Sequence, residues 1–106
     1  MIFFFNLAPP VILNKSEKIH VNETVNRVEL YCQTSGKPKP KVTWYKGDQL
    51  ITNEFPYKYK LSQENTTLTI LNLNYDDDGI YYCYASNLEK YPVANIYYLL
   101  KSLLLN

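Results

Sequence analysis

Along most of the chain apolar and polar residues alternate in short runs, the period-two signature of half-buried strands. Val28, Leu30, Cys32 and Thr34 share one side of a run from Arg27 to Thr34. Val42 and Trp44 do the same between Lys41 and Lys46, and Leu68 and Ile70 between Thr66 and Leu71. Tyr81, Cys83 and Ala85 share the inward side of Ile80 to Ser86. Val11-Ile12-Leu13 and Lys18-Ile19-His20-Val21 read as a first strand in two pieces, and Gln49-Leu50-Ile51 and Tyr57 to Leu61 as short strands. For the last strand, residues 91–100, the alternation is expected to turn Ala94, Ile96, Tyr98 and Leu100 toward the core. Ala8-Pro9-Pro10 suits an entry or edge position, because proline donates no ladder hydrogen bond. Ser35 to Pro40, Gly47-Asp48 and Asp78-Gly79 are turn signals. No segment sustains a helical period, and short strands separated by turns predict an all-β, two-sheet sandwich.

The placing of three residue types then narrows the class. Asp76-Asp77-Asp78-Gly79-Ile80-Tyr81-Tyr82-Cys83 places a tyrosine two residues before the second cysteine. The other cysteine, Cys32, lies 51 positions earlier, and the single tryptophan, Trp44, follows it by twelve. This Cys…Trp…Cys order resembles the immunoglobulin fold. Gly36 to Lys46 (Gly-Lys-Pro-Lys-Pro-Lys-Val-Thr-Trp-Tyr-Lys), Leu68-Thr69-Ile70 with Leu73, and Ala85-Ser86-Asn87 are similar to its intermediate set, and the cysteine separation is too short for a variable domain. Two departures are local: Val25 and Lys90 stand near positions where the set usually has glycine.

The resemblance covers residues 9–100, leaving 1–8 as a flanking or leader remnant and 101–106 as a C-terminal tail. It implies an antiparallel Greek-key sandwich in which a Cys32–Cys83 bridge joins the sheets and packs on Trp44, with Leu30, Leu68 and Ile70 around it. Closing a loop of this length contributes roughly 4 kcal/mol by chain entropy. It also implies that Tyr81 forms a tyrosine corner and that Lys58 pairs with Asp77.

A chain of 106 residues with 46% apolar and 20% charged residues is a single globular domain. Eleven tyrosines against three glycines favour strands. A net charge of +1 supplies no field for nucleic acid or an acidic membrane. Met1 to Phe5 is too short for an export signal, and Leu99 to Leu105, broken by Lys101 and Ser102, falls short of the roughly 20 residues that cross a bilayer. The chain therefore reads as a piece of a longer protein or an incomplete gene model, with no membrane insertion by this segment.

No catalytic constellation is visible, and the chain reads as a non-enzyme without a cofactor. His20 is the only histidine, and no cluster has metal-ligand spacing. Asp76-Asp77-Asp78 suits a solvated turn better than a calcium loop. Asn14-Lys15-Ser16, Asn22-Glu23-Thr24 and Asn65-Thr66-Thr67 are glycosylation sequons, three where eleven Asn and twelve Ser plus Thr give roughly one by chance. They weight the reading toward the extracellular side.

Outward positions differ between the sheets. Thr43, Tyr45, Tyr82, Tyr84, Tyr97 and Leu99 are expected outside one, and Glu29, Tyr31, Gln33, Thr67, Thr69 and Leu71 outside the other. Tyrosine brings area and a polar tip with few rotors, which suits protein docking. Tyr45, Tyr82, Tyr84 and Tyr97 are thus candidate contacts for another Ig-like domain, homophilic or heterophilic, or else a cross-strand aromatic ladder. Lys37, Lys39, Lys41 and Lys46 fit a solvated loop better than a heparan-sulfate contact. The resemblance implies a cell-surface or secreted module of adhesion or receptor–ligand binding. An intracellular muscle-type spacer and the ligand-binding domain of a receptor kinase stay open beside it.

Overall fold

The computed structural model describes residues 7–14, 17–54, 56–87 and 93–101. The strands are β1 (Ala8–Ile12), β2 (Glu17–Val21), β3 (Val28–Tyr31), β4 (Thr34–Lys37), β5 (Lys41–Lys46), β6 (Gln49–Leu50), β7 (Tyr59–Leu61), β8 (Thr67–Ile70), β9 (Gly79–Ser86) and β10 (Val93–Lys101). One sheet has the order β2-β10-β9-β5-β6, the other β3-β8-β7, and β1 pairs with β4 as a two-stranded extension. All ladders are antiparallel except β2 on β10.

The expected second strand is two strands. After Tyr31 the chain leaves β8 and turns its hydrogen bonds to β1, with Leu13 N donating to Gln33 O and Ile12 opposite Thr34. Residues 35–37, expected as turn, therefore lie in β4. Gly36 sits there at φ 152°, and a Cβ would come within 3.0 Å of Pro40 Cγ and 3.2 Å of Pro9 O. Only glycine fits both the conformation and the space.

The core lies between the two main sheets. Leu30, Cys32, Val42, Trp44, Leu68, Ile70, Tyr81 and Cys83 form its buried centre, joined by Ile51, Leu73, Tyr97 and Leu99. The Cys32–Cys83 disulfide crosses between the sheets with a Cα–Cα distance of 6.4 Å, and Trp44 stands opposite Cys83 in the β5–β9 ladder. The indole Nε1 donates to Asn65 O at 2.7 Å. Asn65 sits at φ 60°, a conformation asparagine tolerates better than most residues, and its Nδ2 donates to Val42 O at 3.1 Å. The residue that holds the indole is thereby itself tied to β5.

In β10 the expected faces are reversed. Asn95, Tyr97, Leu99 and Lys101 are buried, and Ala94, Tyr98 and Leu100 are exposed. Both parities of this strand carry apolar residues, so hydrophobicity alone does not select a face. The register with β9 does, setting Tyr97 opposite Tyr81 and Leu99 opposite Gly79. A one-residue change of parity exchanges every side chain. Tyr97 then reaches Trp44, with ring centroids 5.8 Å apart, and its hydroxyl donates to Tyr31 O. Lys101, expected in the tail, ends the strand with Nζ donating to Leu73 O at 2.6 Å.

Candidate functional site

The lower corner is held by a short 3-10 turn, Tyr75–Asp77, capped by Asn74. Asp77 accepts from Asn74 N at 2.8 Å and from Lys58 Nζ at 2.7 Å. Lys58 also donates to Leu71 O and Asn72 O, each at 3.1 Å. Tyr81 Oη donates to Asp77 O at 2.6 Å. Burial, with the negative charges of Asp77 and Asp78 nearby, pushes the Tyr81 phenol far above its ordinary value. Asp76-Asp77-Asp78 is thus mostly structural. Asp77 is buried, Asp78 Oδ1 accepts from Lys101 N at 2.7 Å, and Asp76 alone of the three is exposed.

The outward face of the five-stranded sheet is the candidate site. Strand parity brings Ile80, Tyr82 and Tyr84 of β9 beside Tyr98 and Ile96 of β10 and Tyr45 and Thr43 of β5. Tyr45 and Tyr84 meet edge to face at 5.3 Å, and Tyr82 stacks on Tyr84 at 6.0 Å. These rings, with Thr43, Gly47 and Asp48, line an open hollow of about 630 Å³. Gly47 takes φ 59° and has no neighbour near its Cβ position, so glycine serves the turn that forms the rim. Ile80, Tyr98, Leu100 and Leu50 extend the apolar surface, exposed by 38–52%.

Of the four tyrosines expected here, Tyr45, Tyr82 and Tyr84 come together, and Tyr97 does not. Tyr97 is core, and so is Leu99, for the β10 parity given above. Tyr98 takes the outward place beside Ile80. Ile80 was legible from the parity of β9, since it shares a side with Tyr82 and Tyr84. Tyr98 and Leu100 had no such signal. The other sheet presents Arg27, Glu29, Lys60, Ser62 and Thr67 around a polar depression, with Tyr31 half exposed. Thr69, expected outward there, is buried between its ladder neighbours Glu29 and Lys60.

The basic run is dispersed. Lys39 pairs with Glu64, while Lys46 Nζ donates to Asp76 O at 2.5 Å and lies over the Tyr81 ring. Among the described residues no three His, Cys, Asp or Glu side chains gather closely enough to hold a metal, and no helix is long and apolar enough to cross a membrane. The three sequon asparagines lie apart. Asn22 is exposed in the β2–β3 turn, Asn65 is tied to β5, and Asn14 Oδ1 accepts from Gln33 N at 2.6 Å. Val25 is half-buried against the core. Lys15, Ser16 and Lys90 lie outside the described residues.

Comparison with known proteins agrees with this architecture. Residues 10–93 match the family model described as the immunoglobulin I-set domain. The chain is 41% identical over 83 residues to hemicentin-2 of Mus musculus, covering 76% of this chain and 2% of that protein. It is 35% identical over 83 residues to neural cell adhesion molecule 1 of Bos taurus, covering 76% of this chain and 10% of that protein. It thus spans a small part of the length of the relatives it matches. Among solved structures, extracellular domains 3–5 of Drosophila OTK superpose with a TM-score of 0.79 at 24% identity, covering 91% of this chain and 32% of that one. The titin I-band fragment I67–I69 superposes with 0.73 at 25% identity, covering 90% and 33%. The chain belongs to the immunoglobulin I-set domain family.

Proposed function

We propose that this domain is a non-catalytic recognition module of a cell-surface or secreted protein, acting in adhesion or receptor–ligand binding. Its partner is another Ig-like domain, engaged through the outward face of β9, β10 and β5. One observation carries the reading: among outward strand residues, Tyr45, Tyr82, Tyr84 and Tyr98 lie on this sheet, against Tyr31 on the other. Cross-strand aromatic pairing accounts for the Tyr45–Tyr84 contact, but it gives no reason for Ile80, Tyr98, Leu100 and Leu50 to stay open to water around it. Similarity to part of a neural cell adhesion molecule points the same way. So does the disulfide, which persists in oxidising compartments.

The test is bead clustering by the domain alone and bead capture by a panel of Ig-like ectodomains. Tyr82→Ser with Tyr84→Ser is expected to lower clustering or capture at least tenfold in a variant that still unfolds cooperatively. Unchanged binding in both formats overturns the reading. An intracellular muscle-type spacer is the second reading, favoured by the likeness to titin I67–I69. Thiol titration of native material separates the two, since free thiols belong to the spacer and a closed bridge to the surface module.

A further inference from the structure

Two of the sequons are fully described, and their asparagines do opposite things. Asn22 lies in the turn between β2 and β3 with an exposed side chain. Its Oδ1 accepts from Thr24 N at 2.9 Å and also from the Thr24 hydroxyl. Val25 N closes the same turn onto Asn22 O at 3.2 Å. Among the described residues no acceptor engages Asn22 Nδ2. Asn65 instead spends its Nδ2 on Val42 O, with its own carbonyl holding Trp44.

We infer that Asn22 is the acceptor of an N-linked glycan and that Asn65 is a framework residue left unmodified in the folded protein. This rests on the extracellular reading above, because the transfer takes place on chains entering the secretory pathway. The donor is an oligosaccharide on a lipid diphosphate. The bond from Asn22 Nδ2 to the sugar C1 forms as the bond from C1 to the diphosphate oxygen breaks. The lipid diphosphate leaves with the electron pair, and Nδ2 gives one proton to a carboxylate base of the transferase. As that proton goes, charge builds on Oδ1, where two donors from Thr24 already point. The arrangement spans three residues and needs no tertiary contact, so it is available to a chain that has not yet folded. A sugar on Asn65 Nδ2, which lies 3.1 Å from Val42 O, would instead be driven against β5, and chains carrying it would pack poorly there.

Asn22 follows the β2 residue that stands opposite Lys101. A glycan there, one position past that pair, is rooted six residues along the sheet from Ile96, the partner of Tyr82, or about 20 Å. At the edge strand β2 and that distance away, it leaves the tyrosine hollow open.

The chain, secreted from eukaryotic cells behind a cleavable export sequence, is treated with peptide N-glycosidase in ¹⁸O-water and mapped by peptide mass spectrometry. The expected result is ¹⁸O-labelled aspartate at position 22 in most molecules, at least tenfold less at position 65, and loss of the label at 22 in Thr24→Ala. Secreted chain unlabelled at 22, or labelled equally at 65, overturns the assignment. Forced secretion makes this outcome independent of where the native protein resides, which the thiol titration above decides.

Discussion

Removing the Lys58 amine while leaving Asp77 in place tests how the lower corner is held. The Asp77 side chain is 5% exposed and that of Lys58 is 21% exposed, so the two ends of the pair do not lose equally. In Lys58→Met the carboxylate keeps only the Asn74 N–H at 2.8 Å and stays desolvated. Breaking a buried pair in this way costs about 3–5 kcal/mol, and the surviving hydrogen bond favours the lower end. In Asp77→Asn the ammonium keeps the Leu71 and Asn72 carbonyls and some water, so the loss is nearer 1–2 kcal/mol. Urea unfolding at neutral pH should therefore show Lys58→Met about 1–2 kcal/mol worse than Asp77→Asn, with unchanged m. Combining Lys58→Met with Asp77→Leu should recover part of the loss, since no orphan charge remains. Equal losses below about 1 kcal/mol in both single variants, or strict additivity in the double, would refute this account of the corner.

Three further outcomes follow from the same geometry. Tyr97→Phe should cost about 1 kcal/mol through the lost bond to Tyr31 O and leave partner binding unchanged, whereas Tyr98→Ser should weaken binding with little change in stability. Asn65→Ala should cost about 2 kcal/mol, combining the backbone strain at φ 60° with an unpaired Val42 carbonyl; Asn65→Gly should recover the backbone part, and Trp44 fluorescence reports both. Burial holds the phenols of Tyr81, Tyr59 and Tyr97 above the ordinary value near 10. Above that pH the unfolded chain has lost protons that the folded chain keeps, so their contribution is complete below about 10 and fades as pH rises beyond it. The check is an unfolding midpoint falling through pH 10–12, with tyrosinate absorbance from these residues appearing only as the chain opens.

Much of the sandwich was legible because one parity of β5 and of β8 is clearly more apolar than the other, and because in β9 Cys83 fixes the inward side. Val42 with Trp44 and Leu68 with Ile70 leave no choice of face. In β10 both parities are apolar, and the decision passes to the ladder with β9 and to a hydroxyl that needs Tyr31 O. Neither is written in the local pattern. The β3–β4 break was hidden for a related reason. Arg27 to Thr34 alternates without interruption, and the change of partner strand shows only in the pairing with β1, through Leu13 N to Gln33 O and Ile12 opposite Thr34. The candidate site was legible where β9 and β5 contribute to it, through Tyr82, Tyr84 and Tyr45. Its extension over Tyr98 and Leu100 was not, because it depends on the same β10 parity.

Hydroxyl-radical footprinting of the partner-bound domain against the free domain tests the docking face most directly. Reduced labelling of Tyr45, Tyr82, Tyr84 and Tyr98, with Tyr31 and Tyr57 unchanged, is the result this account expects. Protection of Tyr31 or Tyr57 with those four rings as reactive as before would contradict it.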